Sequence, residues 1–302
     1  MRVPSRQTVA NLAKMHLTRK TAFLNRFARD FQALSFYGAI GITGFGWALS
    51  RLLFFDCKNY APLWFCAALF IYNLDRLKPD NADAINIPRR NRTSAALRKT
   101  ELTITVAAAV TLVVLPLIRR DCLMLLLTLG GAAVCINYPL SPLGFRLKNI
   151  PLLKTFFAPT LVAAAFLVPP LLQQRLDFRT PYFFTATAWT WCVLFFNMMI
   201  CDLRDISGDA RSGVHSLPVL LGARRTMQAL VTILVIITIL SVATFLNSPS
   251  VCKPAWRLLS AAIPVFLAAL LTALRRPQPE SFYEWWVEGI LLVPPVAVAL
   301  LG

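Results

Sequence analysis

Runs of apolar residues divide the chain into roughly nine stretches, near 33–54, 60–74, 102–118, 122–137, 155–173, 182–201, 227–246, 255–274 and 285–301. A helix needs about 20 mostly apolar residues to cross the hydrocarbon of a bilayer. The pattern therefore predicts an all-α, multi-pass transmembrane bundle of about nine spans, with soft boundaries where the runs are short. Every connection between runs is short except 75–101 and 202–226. No soluble domain is visible, so the expected organisation is a segment 1–32 followed by a membrane domain, 33–302. The two longer connections are where function is to be sought.

Composition agrees with this reading. Of 302 residues, 57% are hydrophobic, and the mean hydropathy is +0.61, well above an ordinary soluble domain. Lys and Arg number 31 against 14 acids, a balance that in a soluble chain would suggest nucleic acid. Here the positions of the charges matter more. With nine spans and a cytoplasmic N-terminus, 23 basic residues fall inside and 8 outside, the asymmetry of the positive-inside rule. The expected placement is a plasma or inner membrane, N-terminus cytoplasmic and C-terminus outside, with no nucleic-acid partner.

Segment 1–32 lacks the short apolar stretch and small-residue cleavage site of a signal peptide. Its Arg and Lys residues interleave with Phe23, Phe27 and Phe31, which suits an amphipathic helix lying on an anionic leaflet. The seven cysteines include no CxxC pair, so neither a disulfide framework nor a thiolate metal site is expected.

Both long connections lie on the cytoplasmic side of this topology and both open with acids. The first reads Asn73-Leu74-Asp75-Arg76-Leu77-Lys78-Pro79-Asp80-Asn81-Ala82-Asp83, the second Asp202-Leu203-Arg204-Asp205-Ile206-Ser207-Gly208-Asp209. A single Asp at a helix end is commonly a cap or a solvated ion pair. The second set resists that reading, because i, i+3 and i+7 spacing puts Asp202, Asp205 and Asp209 on one helical face. Like charges so placed repel, and a cation relieves them. Oxygen-only ligands, with just His16 and His215 in the chain, favour Mg²⁺, which takes one or two carboxylates and completes its shell with water and phosphate oxygens. Asp75, Asp80, Asp83, Asp202, Asp205 and Asp209 are the candidate metal ligands. Facing each other, the clusters would hold a diphosphate, and in a bilayer an anionic head on an apolar tail describes an isoprenoid diphosphate.

These residues resemble the UbiA-type superfamily of intramembrane prenyltransferases. The run from Asp202 to Gly222 is similar to the family's DxxDxxxD motif followed by glycine, a small hydroxyl residue, Leu and Pro, here Gly213, Ser216, Leu217 and Pro218. The first motif departs from the family's Asn-x-x-x-Asp-x-x-x-Asp. With Asp83 as its last Asp, Asp75 takes the Asn place and Pro79 the middle Asp; with Asp75 in the middle, Asp83 arrives four residues late. Asp80 or Asn73 then stands as the substitute ligand. Cys201 replaces an asparagine often found before the second motif, with Asn197 a turn earlier.

The resemblance implies a nine-span helical fold and a Mg²⁺-dependent transfer of a prenyl group from an isoprenoid diphosphate to an aromatic or lipid-soluble acceptor. Asp75, Asp83, Asp202, Asp205 and Asp209 become the implied catalytic set. Asn73, Arg76, Tyr138, Lys154 and Asn197 are the implied substrate-binding residues, with Lys148 and Arg89, Arg90 and Arg92 as further basic candidates. Trp189, Trp191, Phe195 and Phe196 crowd the sixth run and would either pack or offer ring faces to a carbocation. Three rivals remain: a terpene cyclase of the same fold, a transporter and a non-catalytic membrane protein. A transporter would place acids deep in several spans, whereas only Glu284 and Glu288 enter one.

Overall fold

The computed structural model describes residues 21, 24–77, 81–137, 147–173, 176 and 178–301, with only the backbone for Asn81, Asp83 and Lys148. Among these residues the chain is helical and carries no strand. A short helix α1 (24–33) leads into α2 (Phe36–Leu52), α3 (Ala61–Leu77), α4 (Asn81–Asn86), α5 (Pro88–Ile118) and α6 (Cys122–Asn137). There follow α7 (Leu153–Leu172), α8 (Pro181–Arg211), α9 (Leu217–Asn247), α10 (Lys253–Ala273) and α11 (Glu280–Leu301).

Each apolar run of the sequence falls on one of these helices. Six are long and apolar enough to cross a membrane, while α2, α3 and α6, with 17, 17 and 16 residues, are shorter. The exposed sides of α5 and α9 carry Val106, Val110 and Val114, and Val231, Val235 and Ile239. Such faces suit lipid, where no water is available to reward a polar side chain.

The two long connections turn out to be mostly helix. Pro88 starts α5 well before the apolar run begins, because a proline at the first helical position gives up only an N–H that has no intrahelical partner. The α8 helix likewise continues through the whole DxxDxxxD stretch to Arg211. Gly222 interrupts the first turns of α9 with φ +77°, a conformation that side-chain-bearing residues adopt only under strain.

An aromatic core ties the middle of the bundle together. Phe45 stacks on Phe166 and Trp189 with centroids 6.0 Å apart, and Trp189 meets Trp256 edge-on at 5.0 Å. The buried polar tips are satisfied: the Trp189 indole donates to Ser241 Oγ at 2.8 Å, and the Trp256 indole donates to Tyr182 Oη at 2.8 Å. Trp189 and Phe196 are thereby packing residues, while Trp191 stacks on Phe195 at 4.8 Å.

The helix α11 is irregular where it approaches the site. It passes through a π turn at Tyr283–Val287 and a 3₁₀ stretch at Glu288–Leu292 before resuming as α-helix at Val293. Pro294 and Pro295 lack the N–H groups that would bond to the carbonyls of residues 290 and 291. The departures re-aim Tyr283 and Glu288 toward the neighbouring helices.

Candidate active site

The C-terminal ends of α3 and α8 and the N-terminal ends of α5, α7 and α11 meet at one end of the bundle around a cavity of about 290 Å³. Asp75 and Arg76 line it from α3, and Asp202, Asp205 and Asp209 from α8. Two acidic segments separated by more than a hundred residues thus share one space. Along α3 the lining positions are 68, 71, 72, 75 and 76, a single helical stripe.

The second acidic segment is held by a built arrangement. Lys154 Nζ lies 2.6 Å from Asp209 Oδ2 and 3.3 Å from Asp202 Oδ1. The other Asp202 oxygen, Oδ2, accepts a hydrogen bond from Thr155 Oγ1 at 2.7 Å, and that hydroxyl accepts from the Leu217 N–H at 3.0 Å. Leu152, at φ +67° ahead of α7, donates its N–H to the His215 carbonyl at 2.9 Å. Two bonds therefore pin the start of α7 to the connection between α8 and α9, which fixes Lys154 against the acids. Asp202 and Asp209 are 5% and 4% exposed, so their charges need that partner.

Asp205 is paired differently. Arg204 donates to it from Nε at 2.6 Å and Nη2 at 2.9 Å, and its guanidinium lies 5.3 Å from the centre of the Tyr283 ring. This two-point contact is the strong form of an Arg–carboxylate interaction. On the far wall Glu288 pairs with Arg90 at 3.7 Å and accepts from Gln32 Nε2 at 3.3 Å. Gln32 also donates to the Glu284 carbonyl.

The remaining sequence-derived candidates separate by place. Asn197 lines the cavity and donates to the Val287 carbonyl at 2.7 Å, bracing the π turn. Arg76 lines the cavity and donates to the Ala33 carbonyl. Asn73 does not reach the cavity. One step round α3 from the lining stripe, it accepts from Ser35 Oγ at 3.0 Å and lies 3.4 Å from the Leu34 carbonyl, where it anchors the joint between α1 and α2. Asp83 sits on α4, which packs against the acidic end of α8, and its backbone alone is described. Asp80 and Tyr138 lie outside the described residues.

None of Trp189, Trp191, Phe195 and Phe196 lines the cavity; among the described residues its rings are Tyr72, Phe157 and Tyr283. Arg204, Thr155 and Asn86 were not singled out from the sequence. An Arg inside the motif was the one available signal for the first.

Among the described residues no three of His, Cys, Asp and Glu form a group that could hold a metal ion. The donor chemistry still fits Mg²⁺, which needs one or two protein carboxylates when substrate phosphates and water supply the rest.

Fold and site together define an integral membrane protein with an acid-lined cavity at one end of a helical bundle. More narrowly, the chain belongs to the UbiA prenyltransferase family, whose model matches residues 61–288. No curated protein matches by sequence. Among solved structures it resembles a UbiA homologue from Archaeoglobus fulgidus bound to DMAPP and Mg²⁺, with TM-score 0.60 and 12% identity over 90% of this chain and 100% of that one. A UbiA homologue from Archaeoglobus fulgidus bound to GPP and Mg²⁺ gives a TM-score of 0.57 at 13% identity over 89% and 99% of the two chains. An apo UbiA homologue from Aeropyrum pernix K1 gives 0.55 at 15% over 87% and 95%.

Proposed function

We propose that this protein transfers a prenyl group from an isoprenoid diphosphate to an aromatic or lipid-soluble acceptor in a Mg²⁺-dependent reaction. The observation that carries the reading is the shared cavity. It joins Asp75 to Asp202, Asp205 and Asp209, and its walls continue into apolar side chains of Ile42, Ala68, Leu161 and Val162. An anionic head and an apolar tail each find their own surface there, and the solved homologues that bind DMAPP or GPP with Mg²⁺ support that choice of donor.

Asp75, Asp83, Asp202, Asp205 and Asp209, with Asp80, are the residues that would hold Mg²⁺. Mg²⁺ would supply charge neutralisation on the departing diphosphate. The protein's own part is positional and electrostatic. Lys154, Arg76, Arg90 and Arg204 ring the polar end and are placed to meet phosphate oxygens, with Arg suited to two-point contact. The apolar walls keep water from an allylic cation as the carbon–oxygen bond to diphosphate breaks. Preorganised charge of this kind acts without reorganising during the reaction.

The topology read from charge completes the proposal. The acid-lined end faces the cytoplasm and α1 lies on the leaflet beside it; of the interfacial segment expected over 1–32, residues 1–20, 22 and 23 lie outside the described residues. In support, α1 exposes Leu24 and Phe27 beside Arg26 and Arg29, the composition of an interfacial helix.

The test uses detergent-solubilised protein, labelled prenyl diphosphates of several lengths, Mg²⁺ and phenolic acceptors, with diphosphate and extractable products both measured. Mg²⁺-dependent release that is lost in Asp205→Asn is the expected result. Prenylated acceptor marks transfer, while cyclic hydrocarbon from donor alone marks a cyclase. Undiminished release in Asp205→Asn would refute the site.

A further inference from the structure

We infer that Lys154 is a resident counter-ion that competes with the divalent metal for Asp202 and Asp209, so that metal binds this chain only once a diphosphate draws the ammonium away. This rests on the metal-dependent reading above and adds an order of events to it.

The geometry sets the competition. One ammonium stands 2.6 Å from Asp209 and 3.3 Å from Asp202, closing the gap between the first and third acids of the motif. The remaining oxygen of Asp202 is taken by Thr155. Lys154 is itself four-fifths buried and the acids more so, so the attraction is weakly screened by solvent. A divalent ion arriving alone must displace this ammonium while losing part of a tightly held water shell.

The position of Lys154 is not an accident of a loose side chain. Its neighbour Thr155 is fixed by the Leu217 N–H, and Leu152 by the His215 carbonyl. The flexible stem of a lysine nevertheless lets its head swing while the backbone stays put. A diphosphate in the cavity offers Nζ a second anion, and Lys154 lines that cavity. Transfer of the ammonium from carboxylate to phosphate exposes Asp202 and Asp209 together, at the moment when phosphate oxygens are present to complete a metal's shell. Metal and donor then bind cooperatively, each favouring the other by the same factor. Such coupling would keep the acids neutralised between turnovers.

The experiment is equilibrium dialysis of the solubilised full chain against Mn²⁺, with and without inorganic diphosphate, for wild type, Lys154→Met and Lys154→Arg. Wild type and Lys154→Arg are expected to retain little Mn²⁺ alone and more with diphosphate. Lys154→Met is expected to retain Mn²⁺ without diphosphate, with affinity higher than wild type on the order of tenfold or more. Its melting temperature should fall in the absence of metal and recover with Mn²⁺. If Lys154→Met does not purify folded, Lys154→Gln, which is polar but carries no charge, takes its place.

Equal Mn²⁺ affinity in wild type and the neutral variants, with wild type gaining metal on addition of diphosphate, would overturn the competition and leave the proposed function standing. Failure of every form to retain Mn²⁺ even with diphosphate would overturn both.

Discussion

The side-chain oxygen of Asn86 accepts the backbone N–H of Gly208 at 2.9 Å, joining the last residue of α4 to the helix that carries the second acidic motif. A Cβ at position 208 would collide with the Asn86 amide and the Ala82 carbonyl. The absence of a side chain at Gly208 is therefore what lets α4, and Asp83 with it, lie against α8.

Gly208→Ala should push α4 outward while leaving the bundle folded. Because displacement of about 1 Å in a positioned group costs up to about a hundredfold in rate, diphosphate release should fall between roughly tenfold and that limit. Circular dichroism should report unchanged helix content. Wild-type release in this variant would show that α4 does not contribute to the site.

Thr155→Val keeps the volume of the side chain and removes its hydroxyl. Asp202 Oδ2 and the Leu217 N–H both lose their partner, and a buried group left unpaired costs about 1–3 kcal/mol. A lower melting temperature is the expected outcome, read by thermal unfolding in one detergent. An unchanged value would mean that water replaces the hydroxyl at both groups.

Glu288→Gln removes the charge that faces Arg90 across 3.7 Å. If that pair aims Arg90 at the donor's phosphates, KM for prenyl diphosphate should rise about tenfold, equivalent to one charge-assisted hydrogen bond of about 1.5 kcal/mol, with kcat changing less. A drop in kcat with KM unchanged would place Glu288 in the chemical step instead.

Topology can be read with thiol reagents. Ala84 and Ala210 are exposed at the acid-lined end, and Cys122 is exposed at the start of α6, at the other end of the bundle. Ala84→Cys, Ala210→Cys and native Cys122, each kept as the single cysteine of its own variant, should label so that positions 84 and 210 react from the same, cytoplasmic side and Cys122 from the opposite one. Labelling of positions 84 and 210 from opposite sides would separate the two acidic segments and dismantle the site.

The site was legible in part, and the division follows helix geometry. The DxxDxxxD segment could be placed on one helical face because spacing within a helix is a local property, and α8 carries it through to Arg211. Asn73 shows where that reasoning ended. It stands two residues from Asp75, but whether a position on α3 meets the cavity or the α1–α2 joint depends on how α3 is rotated against its neighbours. The partner of Glu288 was equally hidden: Pro294 and Pro295 mark a break in α11, but nothing local announced that Glu288 would turn toward Arg90.

By itself, the sequence determined the all-helical membrane bundle, the apolar runs that its helices carry and the acids at the ends of α3 and α8, because hydrophobic run length and i, i+3, i+7 spacing need no partner to be read. Only the tertiary structure decided which cation faces which acid. Lys154 meets Asp202 and Asp209 across 48 and 55 residues of chain, and Glu288 meets Arg90 across nearly two hundred. Such pairings are fixed by the rotation and register of whole helices, which interdigitating side chains in the aromatic core set together and which no local pattern encodes.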